Sequence, residues 1–476
     1  MNILTNLLKD TFLYGLATVL PRLMNLVLVG LHTAVLSTAS YAENTSFYIY
    51  AGFANVLLTY GMETAFFRFY TLEEKSPKVF STTLISLTTT SLSFLLVGLL
   101  FQEQLSGFLK IPVLQYQILL GILVLDTLVV AGFVLYRIQG KAIKFALIKF
   151  LSLITSVLGN FFFLWAVPKY NIDLPNWLIF PKVFYIFISN LLGSFIVFTA
   201  VIPTYLKFEL QFSKTLFKKM LNYGWPIMVA GLAFIVNENL DKLVLRDYLG
   251  KDIMGAYSGC YKLSVFLMLF IQAFRLGVEP LVFKESNKEN AKETYAVIMK
   301  FFVIFASLGI LFVLSFLDLF KEIMIRDTSY WIAINIVPII LLANWCLGVY
   351  HSLSIWYKLT NRTRFGMYIS IFGACITIFL NYTLVPKYGF MAAAYATLAA
   401  YASMMIISYI LGQKYYAIPY PIGRLFGYLA IALLLSGVNL YVIPNSFVLK
   451  AMPILVYLII IAIFEKNSFN RLFNRT

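Results

Sequence analysis

The sequence predicts an all-α polytopic membrane protein, and three observations carry that expectation. Of 476 residues, 61% are hydrophobic and 12% charged, against about 45–50% apolar and about 25% charged in soluble domains. The mean hydropathy is +0.84. Apolar runs of about 18 residues or more follow one another from end to end, each long enough to cross a hydrocarbon core about 30 Å thick as a helix.

Cutting the chain at its polar breaks predicts about 14 spans. The first, 11–36, reads TFLYGLATVLPRLMNLVLVGLHTAVL. It is too long for the apolar core of a cleaved leader and no small-residue cleavage pattern follows it, so it is expected to be a membrane helix. Next come 44–70, 79–101, 112–136, 145–168, 178–203, 221–242 and 252–282. The last six are 296–318, 331–357, 365–386, 389–412, 422–443 and 447–464. Short connections marked by Pro, Gly, Asn and Lys separate them, as turns require. The longest polar one, KESNKENAKETY (Lys284–Tyr295), is mixed in charge and reads as a solvated connection.

Lysine and arginine fix the expected orientation. With the N-terminus inside, about 25 fall on the inner side and about 10 on the outer, the positive-inside bias. Both termini are therefore expected to be cytoplasmic in a multi-pass protein of the cell membrane. The net charge of +16 is largely this bias, so it gives no indication of nucleic acid.

The tetrapeptide VPKY occurs at Val167–Tyr170 and again at Val385–Tyr388. It is one of several collinear matches about 210–220 residues apart. KDTFLYG (Lys9–Gly15) is echoed by KKMLNYG (Lys218–Gly224), YAG at Tyr50 by YSG at Tyr257, and Phe67-Arg68 by Phe274-Arg275. Two units of six helices each share one orientation and form parallel repeats related by an axis along the membrane normal. The expected organisation is a lobe over 1–206, a second over 207–418, and two further helices with a tail over 419–476.

Several chemistries are disfavoured. GKAI at Gly140 and GKDI at Gly250 lack the rest of a phosphate loop, which argues against ATP hydrolysis. Cys260, Cys346 and Cys375 lie in apolar segments without ligand spacing and are expected to be buried small hydrophobes. The two histidines, His32 and His351, argue against a metal or haem cofactor. No external loop carries an acidic cluster of the kind a membrane polymerase or ligase needs, so the chain is not expected to be an enzyme.

Ionisable residues within spans are costly and face a cavity or a partner. Arg22, Asp126 and Lys262 lie about 11, 14 and 10 residues into their spans, roughly 15–20 Å from an end. Two cations and an anion at similar depth suggest a site for an anionic group, since guanidinium grips phosphate with two hydrogen bonds and ammonium acts as a point charge. The plainer alternative is that Asp126 neutralises Arg22 or Lys262. Arg68 and Arg275, near inner span ends, fit substrate binding or snorkelling to head groups, with Glu63 and Glu279 as local partners. Glu238 and Asp241 share a helical face and offer a place for a coupling ion or proton, or a charge pair with Lys242. Pro21 and Pro226 can bend their helices.

LPRLMN (Leu20–Asn25), YGMETAFFRFY (Tyr60–Tyr70), GAYSGCYKL (Gly255–Leu263) and LVPKYGFMAAAYAT (Leu384–Thr397), with helices in a six, six and two arrangement, carry a resemblance. Over nearly its whole length the chain resembles the polysaccharide-type flippases, similar to O-antigen flippases, of the multidrug/oligosaccharidyl-lipid/polysaccharide exporter superfamily. The resemblance implies two six-helix lobes around a central cavity that opens alternately inward and outward. It also implies a polyprenyl-pyrophosphate-linked oligosaccharide as substrate, with membrane lipids and a polysaccharide polymerase as partners. By analogy Arg22 and Lys262 would hold the pyrophosphate. A lipid II or multidrug exporter of the same superfamily, or a membrane polymerase or ligase, stays open. A drug-cation exporter favours acidic cavity residues, whereas two of the three midplane charges are cationic.

Overall fold

The computed structural model describes residues 20–21, 23–72, 76–286, 288–360, 362–444 and 446–466, and every secondary-structure element among them is helical. Among the described residues, 12 helices are long and apolar enough to cross a membrane, and they match the third to the fourteenth expected spans. The expected 14 continuous helices are not all seen. The first span is described only from residue 20, as α1 (Leu23–Val35). The second is two helices, α2 (Thr38–Thr59) and α3 (Met62–Leu72).

The break has a local cause. Tyr60 ends α2 in a left-handed conformation, its N–H donating to the Val56 carbonyl, and Gly61 follows at φ 76°. A second left-handed residue in succession stops helix propagation, and glycine bears it without strain. The apolar run alone gave no sign of the turn.

Next in the chain are α4 (Pro77–Leu100), α5 (Gln102–Leu109), α6 (Val113–Ile138), α7 (Ala142–Phe161), α8 (Val167–Tyr170), α9 (Lys182–Tyr205), α10 (Lys214–Leu249) and α11 (Lys251–Tyr261). α7 reaches α8 through a π turn, Phe162–Ala166, which accommodates the missing N–H of Pro168. Then come α12 (Val265–Glu285), α13 (Ala291–Ser315), α14 (Leu317–Met324), α15 (Val337–Leu353), α16 (Ile355–Leu359), α17 (Arg364–Tyr388), α18 (Phe390–Tyr415), α19 (Ile422–Tyr441) and α20 (Phe447–Phe464). Both VPKY copies end a helix and precede a positive-φ residue, Asn171 at 47° and Gly389 at 72°. α4 and α13 also end alike, at Phe101 (φ −110°, ψ 26°) and Phe316 (φ −109°, ψ 24°), and each leads into an eight-residue helix.

The chain forms two compact units, Met1–Ser258 and Gly259–Thr476. In the first, α3, α4, α6 and α10 enclose a core that includes Met62, Phe66, Phe80, Leu135 and Met220. In the second, α18 packs against α15 and α17, while α13 packs against α15, α19 and α20. Ala392, Ala393, Ala394, Ala396 and Ala400 give α18 a buried small-residue surface. In hydrocarbon, where lipid tails remove most of the hydrophobic incentive, such surfaces let helices gain dispersion contact by close approach. Cys260 and Cys346 are buried, but Cys375 is exposed, contrary to the expectation for it.

A mixed-charge cavity in the N-terminal unit

Five long helices of the first unit, with the start of α3, line a cavity of about 730 Å³. α6 supplies Asp126, Val129, Val130, Phe133 and Arg137. Their spacing of i, i+3, i+4, i+7 and i+11 places them on one helical face. α7 adds Phe145, Lys149 and Ser152, and α9 adds Asn190, Ser194 and Val197, again at i, i+4 and i+7. α2 contributes Asn55 and Thr59, α3 contributes Glu63, and α10 closes the wall with Gly231, Phe234 and Ile235.

Two charge groupings stand about 16 Å apart along α6, the rise of the 11 residue steps from Asp126 to Arg137. At one end Arg137 donates to Glu63 at 3.1 Å, with side chains 45% and 55% exposed. Glu63 lies in the first turn of α3 and Arg137 in the last turn of α6, so each complements its own helix dipole. At the other end Ser194 Oγ donates to Asp126 at 2.7 Å. Lys149 lies over the Phe133 ring at 4.5 Å. Nearby, the Asn190 amide donates to the Tyr48 hydroxyl at 3.0 Å. Among the described residues no three His, Cys, Asp or Glu side chains gather as metal ligands would.

The candidate residues read from the sequence are dispersed. Asp126 lines the cavity, while Arg22 lies outside the described residues. Lys262, exposed, opens a 3₁₀ turn (Lys262–Ser264) that interrupts the eighth span between α11 and α12. A mid-helix 3₁₀ turn is a recurrent hinge geometry. Arg68 stacks over Tyr223 at 4.4 Å. Its expected partner Glu63 bonds Arg137 instead, because the two lie at helix ends that meet. Arg275 lines a narrow cleft of the second unit with His351, Ser352, Ser354 and Lys358. The Glu279 side chain is outside the described residues.

Asp241 is 1% exposed and accepts hydrogen bonds from the Tyr257 hydroxyl at 2.9 Å and from Lys242 Nζ at 3.2 Å. Lys242 Nζ also donates to the Glu238 carbonyl at 2.6 Å. Arg137 and Lys149 were missed as site residues by sequence reasoning. Both lie near the ends of their spans, where a cation ordinarily reads as interfacial. The usable signal was the i+11 register of Arg137 with Asp126.

A cavity with cations, carboxylates, amides, hydroxyls and aromatic faces suits a large, polar, charged solute within an apolar bundle. The fold has known parallels. It superposes on lipid II flippase MurJ in its inward closed conformation with a TM-score of 0.76 and 19% identity, covering 96% of this chain and 100% of that one. A multidrug resistance MATE family transporter of the MOP superfamily, inward-facing, gives a TM-score of 0.66 and 13% identity over 86% of this chain and 95% of that one. An uncharacterized membrane protein of Methanocaldococcus jannaschii is 23% identical over 188 residues, 40% of this chain and less than half (44%) of its own length. The MatE family model matches residues 226–383. The model described as polysaccharide biosynthesis protein matches residues 7–275, more than half of the sequence, and the chain belongs to that family.

Proposed function

We propose that the chain is a flippase carrying polyprenyl-pyrophosphate-linked oligosaccharide units across the cytoplasmic membrane, by alternating access, for surface polysaccharide assembly such as O-antigen, capsule or exopolysaccharide. Both termini are cytoplasmic in this reading, the product goes to a polysaccharide polymerase, and the chain makes and breaks no covalent bond. The repeats over 1–206 and 207–418 arise by duplication, a reading supported by the matched ends of α4 and α13.

The observation that carries the proposal is the composition of the first unit's cavity. Arg137 and Lys149 offer a bidentate grip and a point charge to a diphosphate. Asn55, Asn190, Ser152 and Ser194 match sugar hydroxyls, and Phe133, Phe145 and Phe234 offer faces to sugar rings. Arg22, Lys262, Arg68 and Arg275 serve the same anion elsewhere on its route, while Glu238 and Asp241 are candidates for ion coupling. A second reading, lipid II transport, is favoured by the superposition on MurJ over its full length.

The test is translocation in proteoliposomes of labelled lipid-linked oligosaccharide, read by its accessibility outside and by its mass. Movement without a change of mass is expected, with Lys149→Gln slowed at least about tenfold by loss of the charge. A change of mass makes the protein an enzyme. Movement of lipid II alone establishes the second reading. The lipid-linked intermediate that accumulates on depletion identifies the sugar.

A further inference from the structure

Residues 206–213 join α9 to α10, two of the helices long and apolar enough to cross a membrane. Contacts with α4 fix their path. Ser81 Oγ donates to the Glu209 carbonyl at 2.6 Å, Thr82 Oγ1 accepts from the Ser213 N–H at 3.2 Å, and the Phe208 ring lies 4.2 Å from that of buried Phe80. On this fixed path Leu206, Leu210 and Phe212 stand 81%, 65% and 50% exposed. Lysines flank them in the chain: Lys207 within the connection, and Lys214, Lys218 and Lys219 in the first turns of α10. All four are exposed, and the stretch 206–219 holds one acidic residue, Glu209. A further exposed lysine, Lys144 of α7, donates to the Thr204 hydroxyl at 3.4 Å, at the end of α9.

We propose that this connection is a docking surface for anionic lipid head groups. Leu206, Leu210 and Phe212 enter the boundary between head groups and acyl chains, and the lysines meet the lipid phosphates. Depth supports this placement. α10 has 36 residues, about 54 Å of helix against a hydrocarbon core of about 30 Å, so its first turns stand in the head-group layer. Trp225, 47% exposed, follows Lys214 and Lys218 at i+11 and i+7, on the same face of α10. It lies about 10 Å further along the helix than Lys218, at the depth expected of an interfacial aromatic belt. Three large apolar side chains held outward by a fixed backbone call for a cover. Lysine clusters beside a membrane span are attracted to anionic lipids, and salt screens that attraction. None of these residues lines the first unit's cavity, so the proposal stands or falls independently of the flippase reading.

The test places the full-length protein in vesicles of phosphatidylcholine alone and of an equal mixture of phosphatidylcholine and phosphatidylglycerol. A nitroxide is attached at Leu210→Cys in a Cys375→Ser background, since Cys260 and Cys346 are buried. Its depth is read from collisions with oxygen, which concentrates in lipid, and with a neutral nickel chelate, which stays in water. The ratio of oxygen to chelate collisions should be at least about twofold higher in the mixed vesicles, because each lysine near an anionic surface adds attraction. Salt at about 1 M, where the screening length is about 3 Å, should return the label to its position in phosphatidylcholine, and this arm needs no lysine variant. Lys207→Gln, Lys214→Gln, Lys218→Gln and Lys219→Gln together should abolish the difference. A label equally open to the chelate in both vesicles overturns the proposal and leaves the surface to a protein partner. A label equally deep in both overturns the preference for anionic head groups, and a difference that survives either salt or the fourfold change overturns the role of the lysines.

Discussion

A methyl group at Gly224 should disrupt the packing of the first unit. There α10 crosses the turn between α2 and α3 with backbone against backbone. A β-carbon on Gly224 would lie 2.8 Å from the Tyr60 carbonyl oxygen and 3.2 Å from the Gly61 carbonyl carbon. Neither is the end of a side chain that can rotate away. Overpacking of this kind costs about 1–3 kcal/mol, a roughly 5- to 150-fold loss of population for the arrangement. Gly61→Ala should be worse. Its β-carbon would lie 2.2 Å from the Gly224 oxygen, and its φ of 76° adds about 1–2 kcal/mol of left-handed strain. Gly231→Ala should be milder, because its nearest neighbour is a Val56 methyl at 3.1 Å on a side chain that can turn. Gly427→Ala, with nothing within 4 Å, should be neutral or stabilising by up to about 1 kcal/mol through helix propensity. Thermal unfolding of the four variants in micelles measures the order. Gly224→Ala melting with the wild type, or Gly61→Ala no worse than Gly231→Ala, would refute the crossing as a tight contact.

Two further predictions concern the second unit. Glu465, 1% exposed, pairs with Lys300 and accepts from the Tyr428 hydroxyl at 2.6 Å. Glu465→Gln should cost about 3–5 kcal/mol by leaving the Lys300 charge buried, whereas Glu465→Leu with Lys300→Met should cost less than either single change; a single variant as stable as the wild type in thermal unfolding would contradict this. Asp318 bonds Lys321 at 2.6 Å and Lys450 at 2.8 Å, and these, Lys321 first, hold its carboxyl below the usual range. A carboxylate lowered by folding stabilises above its unfolded value, and that contribution is lost as pH falls through the lowered one. Asp318→Asn should thus lower Tm by about 1–3 °C at neutral pH and by progressively less as pH falls through the lowered value of the carboxyl. A difference independent of pH would mean that packing, not charge, is lost.

Much of the helical layout was legible because hydrocarbon leaves helices as the way to satisfy backbone groups in a chain of this pattern. Apolar length therefore located the last twelve spans. The turn at Tyr60–Gly61 was not legible, since a lone glycine in an apolar run is ordinary and its cause, the approach of Gly224, is tertiary. Likewise no proline or glycine stands within the 3₁₀ turn Lys262–Ser264. At the site, Asp126 was readable by its depth. Lys149 and Arg137 were not, because charge near a span end has the same sequence signature whether it snorkels or faces a cavity. Only the positions of α7 and α3 against α6 separate the two. The Glu63 partner was misjudged for a related reason: sequence proximity favoured Arg68, whereas the ends of α3 and α6 meet in space.

In the flippase reading proposed above, charge balance explains why the cavity contains carboxylates as well as cations. A carrier working by alternating access must change conformation loaded and again empty. With Arg137 and Lys149 alone, the empty cavity would keep two positive charges among apolar walls, and the penalty for an unpaired charge there far exceeds that for a paired one. Glu63, bonded to Arg137 at 3.1 Å, offsets one of those charges in the empty cavity.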